Sequence, residues 1–117
     1  MLRHLTPKEA LIFLQKNQEN PELVILDVRT SVEREELWLE GSQHMDFYDP
    51  KLEEKLSHLN PYLTYFLHCA VGGRSGYLAE WMVSIGFSRV YNLMGSLREL
   101  EDLGCEMVRK KNKNIGY

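Results

Sequence analysis

The chain has 117 residues, of which 44% are hydrophobic and 26% are charged, and its formal net charge is −3. This composition is typical of one globular domain, and the slight excess of acidic residues argues against a nucleic-acid or membrane-surface protein. No apolar run approaches the length of a membrane span, and the charges in the opening stretch MLRHLTPKEA do not fit a secretion signal, so we expect a cytoplasmic protein.

The first half of the chain predicts a helix, a buried strand and a second helix. Thr6 and Glu9 have the spacing of a capping box, and Pro7 suits a first turn, so a helix is expected through ALIFLQKN. Residues 23–28, LVILDV, form a continuous apolar run that is typical of a strand buried on both faces. Ser31 is positioned to cap a charged helix over VEREELWL.

The second half continues the alternation. Residues 44–47 predict a weak strand, and Asp49 is expected to cap a helix through KLEEKLSHL. Residues 63–69, LTYFLHC, predict the second strong strand, followed by a helix through SGYLAEWMVSIGF that stops near Gly86. RVYNL predicts a third strand, and Gly104 is expected to end a short last helix.

Alternating strands and helices predict an α/β domain over residues 1–108, with a mostly parallel central sheet flanked by helices. Residues 109–117 are basic and polar, and we expect them to form a mobile tail. Ligands bind such sheets at the carboxyl ends of the strands, where two loops, DVRT and CAVGGRS, follow the strong strands.

The stretch HCAVGGRSG has the features of an anion-binding loop with a thiol at its base. Cys69 ends a strand, and Gly72 and Gly73 permit positive φ and the close approach of a ligand. Backbone N–H groups and the start of the next helix favour negative charge, so Cys69 is expected to be an acidic nucleophile. Arg74 adds a cation that either contacts the donor anion or braces the loop on a carboxylate, and Ser75 is expected to cap the helix.

Other polar residues near this loop have simpler structural explanations. Cysteines are usually buried packing residues, and we expect this for Cys105. Strand alternation turns His68 away from the face of Cys69, which makes it a poor general base. Asp27 and Arg29 follow the first strong strand, where we expect supporting roles, with Arg29 tied to Glu33 or Glu36. The scattered histidines and the absence of a CxxC pattern argue against a zinc site.

The spacing of cysteine and arginine favours attack on sulfur over attack on phosphorus. Protein tyrosine phosphatases carry the pattern Cys-x5-Arg, and the interval from Cys69 to Arg74 is one residue shorter. A phosphoryl group needs room for its oxygens and for in-line attack. The shorter loop therefore predicts a smaller cradle, which suits a protruding sulfur atom.

Several motifs in order resemble the single-domain rhodanese-like sulfurtransferases. Cys69, Gly72, Arg74 and Ser75 fit the family's loop Cys-x-x-Gly-x-Arg-Ser, and LDVRT, EGSQHMDFY and VYNLMGS are similar to further family motifs. The resemblance covers nearly the whole chain and implies a three-layer rhodanese-like domain. Ala70 departs from the family, which often has a cationic or polar residue there.

The resemblance implies that the Cys69 thiolate takes a sulfane sulfur from thiosulfate, another small sulfur-containing anion or a protein persulfide. The resulting persulfide passes the sulfur to a thiol acceptor without a metal or organic cofactor. The implied binding residues supply loop N–H groups: Ala70, Val71, Gly72, Gly73, Arg74 and Ser75. Two alternatives stay open, a non-catalytic rhodanese-like module that binds a partner and a phosphatase-like or arsenate reductase-like enzyme.

Overall fold

A computed structural model describes residues 1–111 of the chain, in which strands and helices alternate. The strands are β1 (Leu2–Leu5), β2 (Leu23–Asp27), β3 (Leu37–Trp38), β4 (Gln43–His44), β5 (Thr64–His68), β6 (Arg89–Leu93) and β7 (Val108–Arg109). The helices are α1 (Pro7–Lys16), α2 (Ser31–Glu36), α3 (Leu52–Ser57), α4 (Gly73–Ser84) and α5 (Leu97–Asp102).

Five strands form a central sheet in the order β1-β6-β5-β2-β4, and every pair of neighbours in it is parallel. The short strands β3 and β7 pair separately and antiparallel. Parallel neighbours need crossover connections, and helices α3 and α4 provide them on either side of β5 in the chain. The predicted α/β domain with a mostly parallel sheet is confirmed.

Side chains of β5 alternate between the two faces of the sheet and show why three layers form. Tyr65 and Leu67 pack into a core with residues of α3 and α4, and Phe66 packs into a second core with residues of α1 and α5. All three are at most 1% exposed. Because both faces of this central strand are buried, its sequence reads as a continuous apolar run rather than an alternating one. Helices therefore flank the sheet on both sides, as predicted.

Helix starts differ from the prediction at two places. Thr30, not Ser31, caps α2, because its hydroxyl accepts from the Glu33 N–H in a complete capping box. Asp49 does not cap α3; Lys51 occupies the N-cap position, and the Asp49 carboxylate accepts from its N–H at 2.8 Å. The expected capping box of α1 is present.

Strands β1, β3 and β7 were not predicted from sequence. Strand β4 overlaps the weak strand expected over residues 44–47 only at His44. Arg109 pairs with Leu37, and the Lys110 N–H donates to the Glu36 carbonyl at 3.1 Å. Residues 112–117 of the predicted mobile tail lie outside the described residues, so the boundary at residue 108 stays a prediction. Within the part of the chain that the structure describes, no helix is long and apolar enough to cross a membrane.

Candidate active site

The loop between β5 and α4 turns sharply at Gly72, which has a φ of 106°. A Cβ atom at this position would lie 2.8 Å from the Leu93 carbonyl oxygen and 3.0 Å from the Met94 Cα. Only glycine fits this combination of positive φ and close backbone approach. Gly73, by contrast, is the first residue of α4 and has no positive φ, so only one of the two glycines plays the predicted conformational role.

The tight turn aims three hydrogen-bond donors at the sulfur of Cys69. The Gly72 N–H lies 3.1 Å from Sγ, and the Ser75 N–H lies 3.4 Å from it. The Ser75 hydroxyl donates to the same atom at 3.2 Å. Cys69 is only 1% exposed, so these contacts are shielded from competing water.

This environment lowers the pKa of the Cys69 thiol. Burial is the largest single effect and raises the pKa, because it disfavours the charged thiolate. Hydrogen bonds from the Ser75 hydroxyl and from the backbone N–H groups of Ser75 and Gly72, with a smaller contribution from the nearby Val71 N–H, outweigh burial. The loop therefore stabilises the form of cysteine that acts as a nucleophile.

Ser75 has a different place from the one predicted. Helix α4 begins at Gly73, and its N-cap is Gly72, which has no side chain to cap with. Ser75 consequently sits within the first turn, fully buried, and its hydroxyl faces the sulfur instead of the helix end. The expectation that Ser75 caps the helix is wrong, and the residue belongs to the sulfur-binding group.

A cleft of about 290 Å³ opens onto Cys69 and Ala70. The residues that line it come from the region of α2, from the loop and from the start of α5: Arg29, Glu33, Glu36, Leu37, Cys69, Ala70, Ser96, Leu97 and Arg98. Val71 is 75% exposed and does not line this cleft. The buried sulfur is therefore reached from the side that carries Ala70.

Arg74 braces the loop on helix α2. Its Nη1 and Nη2 atoms donate to the two carboxylate oxygens of Glu33, both at 2.8 Å. These bonds hold the pKa of Glu33 at about 2, well below its ordinary value of 4.5, and they raise that of Arg74. The Arg74 guanidinium also lies 5.7 Å from the centre of the Tyr48 ring. Of the two roles predicted for Arg74, the geometry shows the bracing one.

Asp27 and Arg29 form a buried ion pair beneath the cleft wall. The Asp27 carboxylate accepts from Arg29 Nε at 2.9 Å and from Nη2 at 2.8 Å, and it also accepts from Arg34 at 3.0 Å. Burial raises the Asp27 pKa, but the hydrogen bonds from Arg29 together with nearby positive charge lower it overall. The carboxylate, which is 0% exposed, is thus held ionised between two guanidinium groups.

Arg29 does not pair with the carboxylates that the sequence suggested. Its Nη1 donates to the Glu33 backbone carbonyl at 3.2 Å, and its Nη2 donates to the Leu37 carbonyl at 2.6 Å. The expected tie to the side chain of Glu33 or Glu36 is wrong, because the nearer Asp27 carboxylate takes that position. Arg29 therefore joins the end of β2 to helix α2 and to the first residue of β3.

His68 lies beside this pair and does not act on the thiol. It is fully buried, with Nε2 3.9 Å from an Asp27 carboxylate oxygen. Burial is the main reason that the His68 pKa is lowered to about 4, and the ring is therefore neutral near pH 7. Neither ring nitrogen has a hydrogen-bond partner among the described residues.

Asn92 on β6 contacts the loop from the other side. Its Nδ2 donates to the Gly72 carbonyl at 3.4 Å and to His4 Nδ1 at 3.0 Å. Asn92 is 1% exposed, so the contact is protected from solvent. Strand β6 thus supports the sharp turn through both its backbone and this side chain.

Cys105 is a different kind of thiol. It is half-buried and packs against the core that contains α1 and α5. Burial, followed by the charge of Glu106, raises its pKa. Within residues 1–111, no group of His, Cys, Asp and Glu side chains is arranged to hold a metal.

Among the charged residues that line the cleft, Glu33, Glu36 and Arg98 were not predicted as site residues from sequence. Glu33 had a detectable signal, because Thr30 and Glu33 have the spacing of a capping box, but that signal indicates a helix start and not a partner for Arg74. Glu36 and Arg98 have no local signal, because their place on the cleft depends on how α2 and α5 pack.

Comparison with known proteins identifies the family. Residues 12–102 match the rhodanese-like domain family, and the chain belongs to it. The resemblance noted from the sequence motifs is confirmed.

Individual relatives agree with this assignment. A Staphylococcus aureus rhodanese-like domain protein superposes with a TM-score of 0.71 and 22% identity, over 93% of this chain and 99% of the other. The polysulfide-sulfur transferase homodimer of Wolinella succinogenes gives 0.75 and 23%, over 99% and 85%. At these identities the likeness shows the fold alone.

One relative is a much longer protein. The chain is 48% identical over 42 residues to the Rhodanese-like/PpiC domain-containing protein 12, chloroplastic, of Arabidopsis thaliana. The match covers 36% of this chain and 14% of that protein. It therefore concerns a segment of the relative and not its whole length.

Proposed function

We propose that the chain is a sulfurtransferase that carries sulfane sulfur as a persulfide on Cys69. The observation that supports this most is the convergence of the Gly72 N–H, the Ser75 N–H and the Ser75 hydroxyl on one buried sulfur at the base of a cleft. A structural thiol needs no such set of donors, whereas a nucleophilic thiolate is stabilised by each of them.

The reaction has two displacement steps. The Cys69 thiolate attacks the outer sulfur of the donor; a new sulfur–sulfur bond forms, and the donor leaves with the electron pair of the broken bond. An acceptor thiolate then attacks the outer sulfur of the persulfide, and the electron pair of that second broken bond restores the Cys69 thiolate. Atoms and electrons balance without a metal or organic cofactor.

The loop stabilises the charge that develops on the terminal sulfur, as an oxyanion hole does for oxygen. The proposed binding groups belong to Ala70, Val71, Gly72, Gly73, Arg74 and Ser75. Donors of this kind contribute about 3 kcal/mol each in well-studied enzymes. Asp27 and Arg29 support the site indirectly, because their ion pair fixes the wall that carries Glu33.

The comparisons support a sulfur substrate in general terms. One structural neighbour is named a polysulfide-sulfur transferase. By analogy, the donor is a small sulfur-containing anion or a protein persulfide, and the acceptor is a thiol. A reducing compartment such as the cytoplasm suits a chain whose two cysteines are both free thiols.

Intact-mass measurement after incubation with thiosulfate or with polysulfide tests the proposal. We expect a gain equal to one sulfur atom, which cyanide removes, in the wild type and in the matched control Cys105→Ser. Cys69→Ser is expected to gain nothing. Absence of the gain with both donors in a folded wild-type protein would reject the proposal and favour a non-catalytic partner-binding module.

A phosphatase-like activity has less support from the geometry. Both terminal nitrogens of Arg74 bind Glu33 and so are occupied before any phosphate arrives. Hydrolysis of p-nitrophenyl phosphate that disappears in Cys69→Ser, with no sulfur gain in the mass experiment, would reverse this preference.

A further inference from the structure

Charged residues on the wall of the cleft differ in how far the protein itself neutralises them. Arg29 is paired with Asp27, and Glu33 is paired with Arg74, each at 2.8 Å. Glu33 therefore presents little net charge to a substrate, and the charge of Arg29 is partly neutralised by Asp27, which Arg34 shares.

Glu36 and Arg98 also line the cleft, and they remain available. Both are exposed, and neither has an oppositely charged atom within 4.0 Å among residues 1–111. The nearby opposite charges are Arg109 for Glu36 and Glu101 for Arg98, and Arg109 and Glu101 form an ion pair with each other. One free anion and one free cation thus stand at the mouth of the cleft, on α2 and α5.

The rest of the cleft near the sulfur carries no free charge. Ala70 lies beside Cys69, and the buried side chains of Leu37 and Leu97 add apolar surface. A dianion such as thiosulfate is attracted by Arg98 but repelled by Glu36, so the two effects largely cancel. A small molecule with one ammonium and one carboxylate matches both residues.

The volume of the cleft also limits the substrate. At about 290 Å³ it lies just below the range of about 300–1,000 Å³ that is usual for small-molecule sites. The cleft therefore suits a single amino acid better than a large metabolite.

We propose that the acceptor in the second step is a zwitterionic α-amino-acid thiol, with its ammonium at Glu36 and its carboxylate at Arg98. This inference rests on the proposed sulfurtransferase function. The acceptor loses its thiol proton to solvent, and its sulfur bonds to the outer sulfur of the Cys69 persulfide. The bond from that outer sulfur to Cys69 Sγ breaks, the electron pair returns to Sγ, and an amino-acid persulfide leaves.

A series of thiols that differ in charge tests the inference. The protein is first loaded with polysulfide, freed of excess donor and checked by intact mass. The rates at which cysteine, 3-mercaptopropionate, cysteamine and 2-mercaptoethanol remove the sulfur are then measured. Each rate is divided by the rate at which the same thiol attacks a small-molecule trisulfide, which corrects for differences in thiol reactivity. We expect cysteine to react fastest, and the corrected rate to fall by up to about fivefold for each missing charge, the upper limit for an exposed ion pair.

Variants assign each charge to its partner. Glu36→Gln is expected to remove the advantage of cysteine over 3-mercaptopropionate, and Arg98→Gln its advantage over cysteamine. The matched controls Glu53→Gln and Arg3→Gln, which are exposed and lie outside the cleft, are expected to keep both preferences.

The outcomes separate this inference from the function on which it rests. If polysulfide loads no sulfur onto Cys69, the proposed function fails and the inference fails with it. If loading succeeds but all four thiols discharge at equal corrected rates, or if the preferences survive in Glu36→Gln and Arg98→Gln, only the inference is overturned.

Discussion

Replacing Ser75 with alanine tests the cause of thiolate formation in this loop. The Ser75 hydroxyl is the one side-chain donor among the described contacts to Cys69 Sγ, at 3.2 Å, and the residue is fully buried. Ser75→Ala removes this donor and leaves the N–H groups of Gly72 and Ser75 in place.

The magnitude follows from the charge on the acceptor. A hydrogen bond to a charged group contributes about 1.5–3 kcal/mol, and about 1.4 kcal/mol is a factor of ten in an equilibrium constant. We therefore expect the thiolate-to-thiol ratio of Cys69 at a given pH to fall by about tenfold to a hundredfold. The direction is a rise in the Cys69 pKa, because burial then opposes ionisation with one fewer bond against it.

The assay is the ultraviolet absorbance of the thiolate as a function of pH, supported by the rate of alkylation. Both are measured in a Cys105→Ser background so that a single cysteine reports. Ser84→Ala is the matched control, since the Ser84 hydroxyl is exposed and donates to the Trp81 carbonyl. An unchanged titration of Cys69 in folded Ser75→Ala would refute the reasoning and assign the stabilisation to the backbone alone.

Three further predictions concern stability. In urea unfolding, Gly72→Ala should be less stable than Gly41→Ala by about 1–3 kcal/mol. Both glycines have positive φ, but only at Gly72 does the new Cβ meet backbone, at 2.8 Å from the Leu93 carbonyl oxygen. Equal losses of stability in the two variants would contradict this reasoning. Pairing with Arg74 lowers the Glu33 pKa from 4.5 to about 2, so the wild type should lose its advantage in unfolding free energy over Glu33→Gln as the pH falls from about 4.5 to 2. Solvent screening limits that advantage to about 1 kcal/mol. A difference that does not vary with pH would count against this prediction. Burial lowers the His68 pKa from 6.5 to about 4, so between these pH values the unfolded chain binds one more proton than the folded chain. The unfolding free energy of the wild type should therefore fall as the pH drops from 6.5 to 4, and that of His68→Gln should fall less steeply. Parallel slopes for the two proteins would disprove this prediction.

The main strands could be predicted because burial on both faces leaves a direct mark on composition. LVILD and TYFLH are the neighbouring central strands, β2 and β5, and their apolar runs reflect the two cores. Strand β1 has a mixed sequence, and β3 and β7 are only two residues long. They are strands because partners from distant parts of the chain pair with them. Periodicity within a short window carries no information about such partners.

The candidate site divides in the same way. Cys69 and Gly72 could be found because the loop is a local motif whose chemistry depends on residues close in sequence. Arg74 binds a carboxylate 41 residues away, which spacing cannot reveal. Ser75 was misplaced for a local reason: positive φ at Gly72 lets α4 begin earlier than expected, which moves the hydroxyl from the helix end to the sulfur.

The turn at Gly72 has a consequence for the reactivity of each newly made chain while it folds. Its shape depends on backbone from β6, and Arg74 is fixed by α2, so distant segments must dock before the donors reach the sulfur. Parallel sheets assemble from such long-range contacts and fold comparatively slowly. During synthesis and folding, Cys69 is therefore a common flexible thiol without special reactivity. A chain that is unfinished or damaged therefore has a thiol of ordinary acidity at Cys69, and only complete folding brings the donors of the loop to the sulfur.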